Sequence, residues 1–406
     1  MKNLYIIDDY ASSKSNGIGT YIKELIYCLK ETEIDICHIA CCHDSKTFKI
    51  EVNNGIKQMQ FPVVPYFFVK YYSILDKFFR LYIDDSPENV FLFNHTPNEF
   101  FVRKIKFSFP KSKLVFVIHD MIWTEPLLGN KTEIKKLATI ENLELFEKEY
   151  PILVSRFKEE KNMFDTIHQI VALAQETVEL LQSTYNINNE NISFIANGLQ
   201  DNFLILSKGE KNQLKVKLFI PINEKVIVFA GRTSNSKGIY RIINSLRKVV
   251  RVYPNFRLIV IGTIFEVKKL MEYTSEIAPK ITFTGQISKD KLYEWYQIAD
   301  IGVLSSYWEQ CSYTGIEMMM HGLPVVASDG FCVGDMFKDN LNAKIAKIGD
   351  RNCPEEFENN LSEAFLELLK SPNLCKKLGN NGRKIYESKY HINCMEKGYQ
   401  MLLDSL

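Results

Sequence analysis

Short apolar runs alternate with longer amphipathic runs along this sequence of 406 residues. The alternation predicts parallel β-strands joined by helices, because a strand buried on both faces is apolar throughout, whereas a crossover helix needs only one apolar side. The strands predicted for the first half lie at 4–7, 36–40, 90–93, 114–118, 152–154, 170–172 and 192–195. The pattern then restarts, with strands predicted at 226–229, 258–261, 281–283, 301–304 and 324–327 and helices at 239–252, 264–277 and 289–298.

The chain length exceeds the size at which a single hydrophobic core usually stops growing, which favours two domains. The polar stretch 197–224 separates the two series of strands and is the predicted linker, since it contains the turn-forming residues Gly198 and Pro221. We therefore predict an α/β protein of two facing, Rossmann-like, doubly wound domains at 1–200 and 201–387. Ligands of such sheets bind at the carboxyl ends of the strands, so the interdomain cleft is the predicted site of chemistry.

Charge and hydropathy exclude some classes of protein. Fifty basic residues face 49 acidic ones, and a net charge of +1 supplies no general attraction to nucleic acid. Neither a secretory signal peptide nor an uncharged apolar run of about 18 residues is readable, which predicts a cytoplasmic protein. The histidines His43, His95 and His168 have no supporting cluster of ligand residues, so we expect no essential metal.

Two glycine-containing loops each follow a predicted strand and precede a predicted helix. Gly17 and Gly19 belong to the first, where close backbone approach and a helix start favour a phosphate, although a plain tight turn is the alternative. The second begins at Gly231 and carries Arg232 and Lys237. The guanidinium of Arg232 offers a forked pair of donors and the ammonium of Lys237 a point charge, a combination that suits a departing diphosphate. The alternative is that both are solvated loop cations without a ligand.

Glu309 and Glu317 lie on either side of a small polar loop that opens onto a helix predicted at 315–321. If the stretch were helical, eight positions would separate the acids by roughly 12 Å, too far for a hydrolase pair. They suit hydrogen bonds to sugar hydroxyls instead. Ser312, Tyr313 and Thr314 stand before the predicted helix, where unpaired amides attract an anion.

Taken together, these motifs resemble the retaining glycosyltransferases of GT-B architecture, specifically family GT4, the glycosyl transferases group 1. The resemblance spans nearly the whole chain and rests on the loop 17–19, His119-Asp120, Asn197-Gly198, the Gly-Arg-x4-Lys-Gly run at 231–238, Gly285, and Glu309-x7-Glu317.

The resemblance implies a role for each matching residue. Arg232 and Lys237 would bind the donor diphosphate, Glu309 the donor sugar, and Glu317 the nucleotide ribose. His119 would line the transfer site unless it is a hydrogen-bonded structural histidine, and Asp120 is expected to be a cap or turn residue.

The resemblance also implies the reaction. A UDP- or GDP-linked sugar would pass, without a metal or other cofactor, to a hydroxyl of a glycan or polyprenyl-linked acceptor. The departing phosphate would accept the acceptor's proton, and the last helix, within 388–406, would return to the first domain. The sequence departs from the family after Glu309, where Gln310-Cys311-Ser312 replaces the usual Gly-Phe-Gly and leaves the donor sugar open. A GT-B epimerase or phosphorylase and a non-catalytic sugar-nucleotide-binding subunit are the alternatives.

Two stretches of the first domain combine aromatic and basic residues. They lie at 66–83 and 103–113 and could seat this domain on an anionic membrane near a lipid-linked acceptor. The alternative for 66–83 is a buried helix whose cations reach the surface.

Overall fold

Two separate β-sheets organise the chain in a computed structural model that describes residues 1–8, 16–62, 68–94, 98–137 and 140–406. The strands are β1 Asn3–Asp8, β2 Asp35–His43, β3 Lys49–Asn53, β4 Ile56–Pro62, β5 Asn89–Phe93, β6 Lys113–Ile118, β7 Gln169–Ala172, β8 Ile192–Phe194, β9 Lys225–Ala230, β10 Phe256–Ile261, β11 Ile281–Gly285, β12 Ile301–Leu304, β13 Val325–Ser328 and β14 Ala343–Ala346.

Helices connect most of these strands. They are α1 Gly17–Leu29, α2 Phe68–Tyr82, α3 Glu99–Ser108, α4 Lys131–Lys136, α5 Ile140–Glu149, α6 Pro151–Phe164, α7 Gln175–Thr184, α8 Lys208–Lys217, α9 Ile239–Val252, α10 Val267–Thr274, α11 Lys289–Ile298, α12 Tyr313–Met320, α13 Val333–Met336, α14 Pro354–Lys370, α15 Pro372–Ile385 and α16 Ile392–Ser405. Short 3-10 turns occur at Ile122–Leu127, Asn189–Asn191, Asn235–Lys237 and Ser275–Lys280. A π-helical turn covers Tyr386–Tyr390.

The chain divides into two compact units. The first unit contains Met1–Leu127, Lys131–Gly198 and Ile392–Leu406, and the second contains Leu128–Asn130 and Leu199–His391. The C-terminal helix α16 thus belongs to the first unit, where it packs against α1.

The two sheets differ in strand direction. The first has the order β3-β4-β2-β1-β5-β6-β7-β8, and its pairs are parallel except for the antiparallel β3–β4 hairpin. The second has the order β11-β10-β9-β12-β13-β14 and is parallel throughout. The predicted α/β class is confirmed, and the apolar runs form the central strands because both faces of those strands are buried.

One predicted strand is wrong. Residues 152–154 open α6, which begins at Pro151, a residue well suited to the first turn of a helix. Leu153, Val154 and Phe157 are buried along one helical face, so a spacing of three and four residues, not an apolar run, determines this segment.

Three strands escaped prediction. β3 and β4 form a hairpin around Asn54 and Gly55, whose φ angles of 52° and 81° are those that an Asn-Gly hairpin turn requires. β14 lies at the edge of the second sheet beside β13.

None of the helices in the described part of the chain combines the length and the low polarity that crossing a bilayer requires.

Candidate active site

The predicted donor-binding residues lie where the second sheet reverses its strand order. The chain leaves β9 toward β10 on one side, and β12 leads to β13 on the other. Loops therefore diverge at the carboxyl ends of β9 and β12, and such a point is where open α/β sheets bind ligands. The loop 231–238 follows β9, and the loop 305–312 follows β12.

Hydrogen bonds join the two loops. Tyr307 N donates to the carbonyl of Ser236 at 2.9 Å, and Ser305 Oγ donates to the carbonyl of Lys237 at 2.7 Å. Gly238 has a φ of +73°, and a Cβ built on it would overlap the carbonyl oxygen of Ser305. Glycine is needed at this position because both the backbone angle and the neighbouring chain exclude a side chain.

Lys237 and Glu309 form an ion pair in this site. Lys237 Nζ lies 2.6 Å from Glu309 Oε1, and Ser306 Oγ donates to the same oxygen at 2.6 Å. The side chains of Lys237 and Glu309 are 23% and 12% exposed, so water screens the pair only partly. Arg232 is exposed, and its guanidinium makes no hydrogen bond to the residues that the structure describes. The three charges sum to one positive charge, held by an arginine free to meet an anion.

The first turn of α12 lies beside this cluster. Ser312 Oγ accepts from Gly315 N at 3.4 Å and caps the helix, which begins at Tyr313, two residues earlier than predicted. Thr314 Oγ1 donates to the carbonyl of Ala230 at 3.4 Å. Because Ala230 ends β9, this bond places the helix start next to Gly231, which has a φ of +153°.

Glu317 is set more deeply than Glu309. It is buried, its Oε2 accepts from Tyr296 Oη at 3.4 Å, and its Oε1 lies 3.8 Å from Lys289 Nζ. Burial and the Glu317 carboxylate raise the pKa of Tyr296 well above its ordinary value, so the phenol stays a donor. Lys289 and Tyr296 are not among the site residues predicted from the sequence. Their separation of seven positions, which puts both on one face of α11, was the signal that could have found them.

His321 supports Glu317 from its own helix. The Nδ1 atom of His321 lies 2.8 Å from the carbonyl oxygen of Glu317 and donates to it, since that oxygen can only accept. Burial lowers the pKa of His321 to about 4, so this ring is neutral near pH 7. It packs among the rings of Tyr293, Tyr296 and Phe203.

The remaining predicted residues belong to the first unit. Gly17 and Gly19 form the first turn of α1, where Asn16 Oδ1 accepts from the amides of Ile18 and Gly19 at 3.0 and 3.2 Å. The predicted glycine loop is therefore already helix. Residues 9–15, the rest of that loop, lie outside the described residues.

His119 follows β6 in the same unit. Its Nε2 lies 3.1 Å from Asn94 Oδ1, and its ring lies 4.5 Å from that of Tyr21 on α1, edge to face. Asp120 Oδ1 accepts from Met121 N at 2.8 Å, as a turn residue does. His119 thus lies next to the helix that Gly17 and Gly19 open.

A buried carboxyl group lies beneath the segment that follows Asp120. Glu160 on α6 accepts from Trp123 Nε1 at 3.0 Å and from the hydroxyl of Tyr185. Burial, together with the charge of Asp120, raises the pKa of Glu160 to about 7, while the two hydrogen bonds lower it.

His43 and His168, two of the three histidines considered as metal ligands, each accept a hydrogen bond from a different part of the backbone. His43 Nδ1 accepts from Ser45 N at 3.1 Å, and His168 Nδ1 accepts from Leu114 N at 2.9 Å. His95 lies outside the described residues. Among the residues that the structure describes, no group of three His, Cys, Asp or Glu side chains could hold a metal ion.

The stretches 66–83 and 103–113 contain α2 and α3, which pack against each other. Tyr71, Leu75 and Phe79 are buried at four-residue spacing, whereas Leu81 and Phe107 are 73% and 78% exposed. Residues 66–67, and the side chains of 68–70, lie outside the described part of the chain.

Part of the sequence matches a known family. Residues 210–385 match the model described as Glycosyl transferases group 1. The chain is 26% identical over 179 residues to the uncharacterized glycosyltransferase MJ1607 of Methanocaldococcus jannaschii, covering 43% of this chain and 45% of the relative. It is 25% identical over 199 residues to mannosylfructose-phosphate synthase of Agrobacterium fabrum, covering 46% and 43%. The matches thus span less than half the length of these curated relatives.

Solved structures resemble the chain over its full length. Sucrose-phosphate synthase from Thermosynechococcus elongatus has a TM-score of 0.77 at 15% identity, covering 100% of this chain and 99% of that one. HepE of Anabaena, solved in complex with UDP-glucose, has a TM-score of 0.73 at 15% identity, covering 100% of both chains. At such identities the likeness concerns the fold. The chain has the GT-B fold, and its residues 210–385 match the model of the glycosyl transferases group 1 family.

Proposed function

We propose that the protein is a retaining glycosyltransferase that moves a sugar from a nucleotide-diphosphate sugar to a hydroxyl of a glycan or lipid-linked acceptor. The observation that carries the proposal is the cluster of Arg232, Lys237 and Glu309 at the switch point of the second sheet, inside the segment that matches the family. Retention rests on the resemblance of these residues, with Glu317, to the family's motif.

The charges suit the chemistry of the donor. The bond between the anomeric carbon and the diphosphate oxygen breaks, and the leaving group gains negative charge. Arg232 and Lys237 would stabilise that charge in a site that is partly screened from water. The acceptor oxygen bonds to the anomeric carbon, and its proton passes to the departing phosphate oxygen.

Lys237 would have two partners in turn during the proposed reaction, Glu309 and the donor diphosphate. Its ammonium is bonded to Glu309. A bound diphosphate would compete for the ammonium and leave the carboxylate to accept from a hydroxyl of the transferred sugar. We therefore expect donor binding to break the ion pair between Lys237 and Glu309. Lys237 would then contact the diphosphate and Glu309 the sugar, while Ser306 stays bonded to Glu309.

The other residues would hold the rest of the donor and the acceptor. Glu317, fixed by Tyr296 and Lys289, would accept from the ribose hydroxyls. Gly231 and the amides of Ser312, Tyr313 and Thr314 would approach the phosphates. His119 would line the transfer site, and Gly17 or Gly19 would let the backbone of the first unit approach the donor phosphates.

The acceptor and the cell surface are further parts of the proposal. A polyprenyl-linked acceptor would be met at the cytoplasmic face of an anionic membrane, as in the assembly of a surface polysaccharide. Exposed Leu81 and Phe107, near the exposed cations Lys77 and Arg80, offer apolar and basic contacts to such a surface.

A thermal-shift panel of UDP-, GDP- and ADP-sugars tests donor binding. A ligand that binds only the folded state raises the melting temperature, and HepE makes UDP-glucose the first member of the panel. The Lys237→Ala variant should lose most of the shift, while Arg251→Ala, a change to an exposed cation at the far end of α9, should keep it. No shift with any nucleotide sugar would overturn the proposal.

Product analysis separates the proposed transfer from the alternatives. Proton NMR of the glycoside should show the anomeric configuration of the donor. Consumption of the donor without a hydroxyl acceptor would favour the alternatives: a sugar phosphate formed from added phosphate indicates a phosphorylase, and an isomeric sugar nucleotide indicates an epimerase. Binding without turnover, across a panel of acceptors, would favour a non-catalytic subunit.

A further inference from the structure

A second group of basic residues lies at the amino ends of β6 and β7 in the first unit. His168 directly precedes β7, Lys113 opens β6, and Lys106 reaches them from α3. His119 follows the opposite, carboxyl end of β6. This cluster therefore lies at the amino ends of the strands of the first sheet, opposite the carboxyl ends that the proposed transfer uses.

The hydrogen bonds of His168 fix its proton. Leu114 N donates to His168 Nδ1 at 2.9 Å, so that nitrogen is the acceptor and a neutral ring carries its proton on Nε2. The Nε2 atom lies 3.0 Å from Lys106 Nζ, and an ammonium has only donors. Two donor groups therefore face each other at hydrogen-bond distance, an arrangement that needs an acceptor between or beside them.

The surrounding charges make the conflict stronger. Burial, then Lys106 and Lys113, lowers the pKa of His168 to about 4, and burial and Lys113 lower the pKa of Lys106. Asp85 partly offsets the effect on Lys106, which also donates to the carbonyl of Pro110 at 3.3 Å. Lys106 and Lys113 thus both disfavour a positive charge on the ring of His168.

An open recess of about 510 Å³ lies beside the two donors. Arg103, Phe107, Asp165 and Thr166 line it together with Lys106 and His168. Arg103 is bonded to Glu99 at 2.8 Å, and Asp165 adds one negative charge at the margin. The threonine hydroxyl can donate to an oxygen, so the recess offers three kinds of donor to one small ligand.

We propose that this recess binds an anion of the phosphate class, whose oxygens accept from Lys106 Nζ and His168 Nε2 together. The ligand would resolve the contact between donors, because its oxygens would accept from both. The inference does not depend on the transfer reaction. The phosphate could come from a free phosphate or phosphomonoester, or from a phospholipid headgroup reached past the exposed ring of Phe107.

The test follows the imidazole of His168 by NMR while inorganic phosphate is titrated. Bound phosphate should raise the pKa of this ring by at least one unit, since the anion stabilises the protonated form against Lys106, Lys113 and Arg103. Lys106→Ala should weaken the affinity at least tenfold, because a hydrogen bond to a charged group is lost. Lys106→Arg, which keeps the charge, should retain binding.

Lys104→Ala is the matched control, since Lys104 lies on the same helix over the ring of Phe100 and not in the recess. Vesicles of phosphatidylglycerol, with phosphatidylcholine vesicles for comparison, form the second arm. A response of His168 to phosphate supports a free anion, and a response only to phosphatidylglycerol supports a headgroup. No response in either arm, or an equal response from Lys106→Ala and the parent protein, would overturn the proposal.

Discussion

The first strand of each sheet leads to a helix, and the two helix starts are built differently. In the first unit, Asn16 caps α1 and occupies the amides of Ile18 and Gly19. In the second, α9 starts after Gly238, a left-handed residue that provides no side-chain cap. Both loops contain glycine and predicted a phosphate contact. The difference teaches that cations and an uncapped helix start, more than glycine, distinguish the proposed donor side.

Lys237→Ala should have the largest effect on this contrast. It removes a cation from the proposed diphosphate and leaves the partly buried carboxylate of Glu309 without its ion pair. We expect kcat/KM for the nucleotide sugar to fall roughly 1000-fold. Steady-state kinetics measures this fall in kcat/KM, with Arg251→Ala as the control. A loss below tenfold would contradict the role of Lys237.

Gly238→Ala tests the backbone of the same loop. A left-handed alanine and the overlap with Ser305 should together destabilise the second unit by about 3 kcal/mol. Gly17→Ala, at the exposed first turn of α1, should change stability by less than about 0.5 kcal/mol. Urea unfolding, followed by probes in each unit, measures both. Equal effects would show that the two loops are not as different as their backbones indicate.

Arg232→Ala should lower turnover without lowering stability. The exposed guanidinium has no partner to lose among the described residues, so the melting temperature should stay within about 1 °C. The loss of one charge at the diphosphate should cost about 100-fold in kcat/KM. A change in melting temperature with unchanged turnover would assign Arg232 a structural role.

Asn16→Ala should have a smaller effect than the changes at Lys237, Gly238 and Arg232. Losing this cap should destabilise α1 by about 1 kcal/mol, because two amides lose their acceptor. Asn16→Asp keeps an acceptor and should retain the stability. If Asn16→Ala instead weakened donor binding more than Lys237→Ala does, the comparison between the two loops would be reversed.

Much of the framework was predictable because burial on both faces leaves a mark in the sequence itself. The runs that became β5, β6, β9 and β12 are apolar throughout, and their order set the loops that carry Arg232 and Glu309. The strand predicted at 152–154 failed because Pro151 and the spacing of Leu153 and Phe157 favour a helix.

The contacts within the site were not predictable. Lys237 and Glu309 are 72 residues apart, and Lys289 meets Glu317 from another helix, so each pair depends on side-chain directions across neighbouring strands and helices. The cap on α1 could have been predicted, because an asparagine directly before a helical pattern is an N-cap signal.

The hydrogen-bonded Glu160 carboxyl makes folding of the first unit a proton-linked equilibrium. The folded chain keeps this proton up to about pH 7, whereas the unfolded chain releases it near 4.5, the ordinary pKa of a glutamate side chain. Stability contributed by this group is therefore complete below pH 4.5 and falls as the pH rises toward 7, by on the order of 3 kcal/mol. Glu160→Gln should remove this slope, which melting curves between pH 5 and 8 would show. The carboxyl would thereby link the segment after His119 to the acidity of its surroundings.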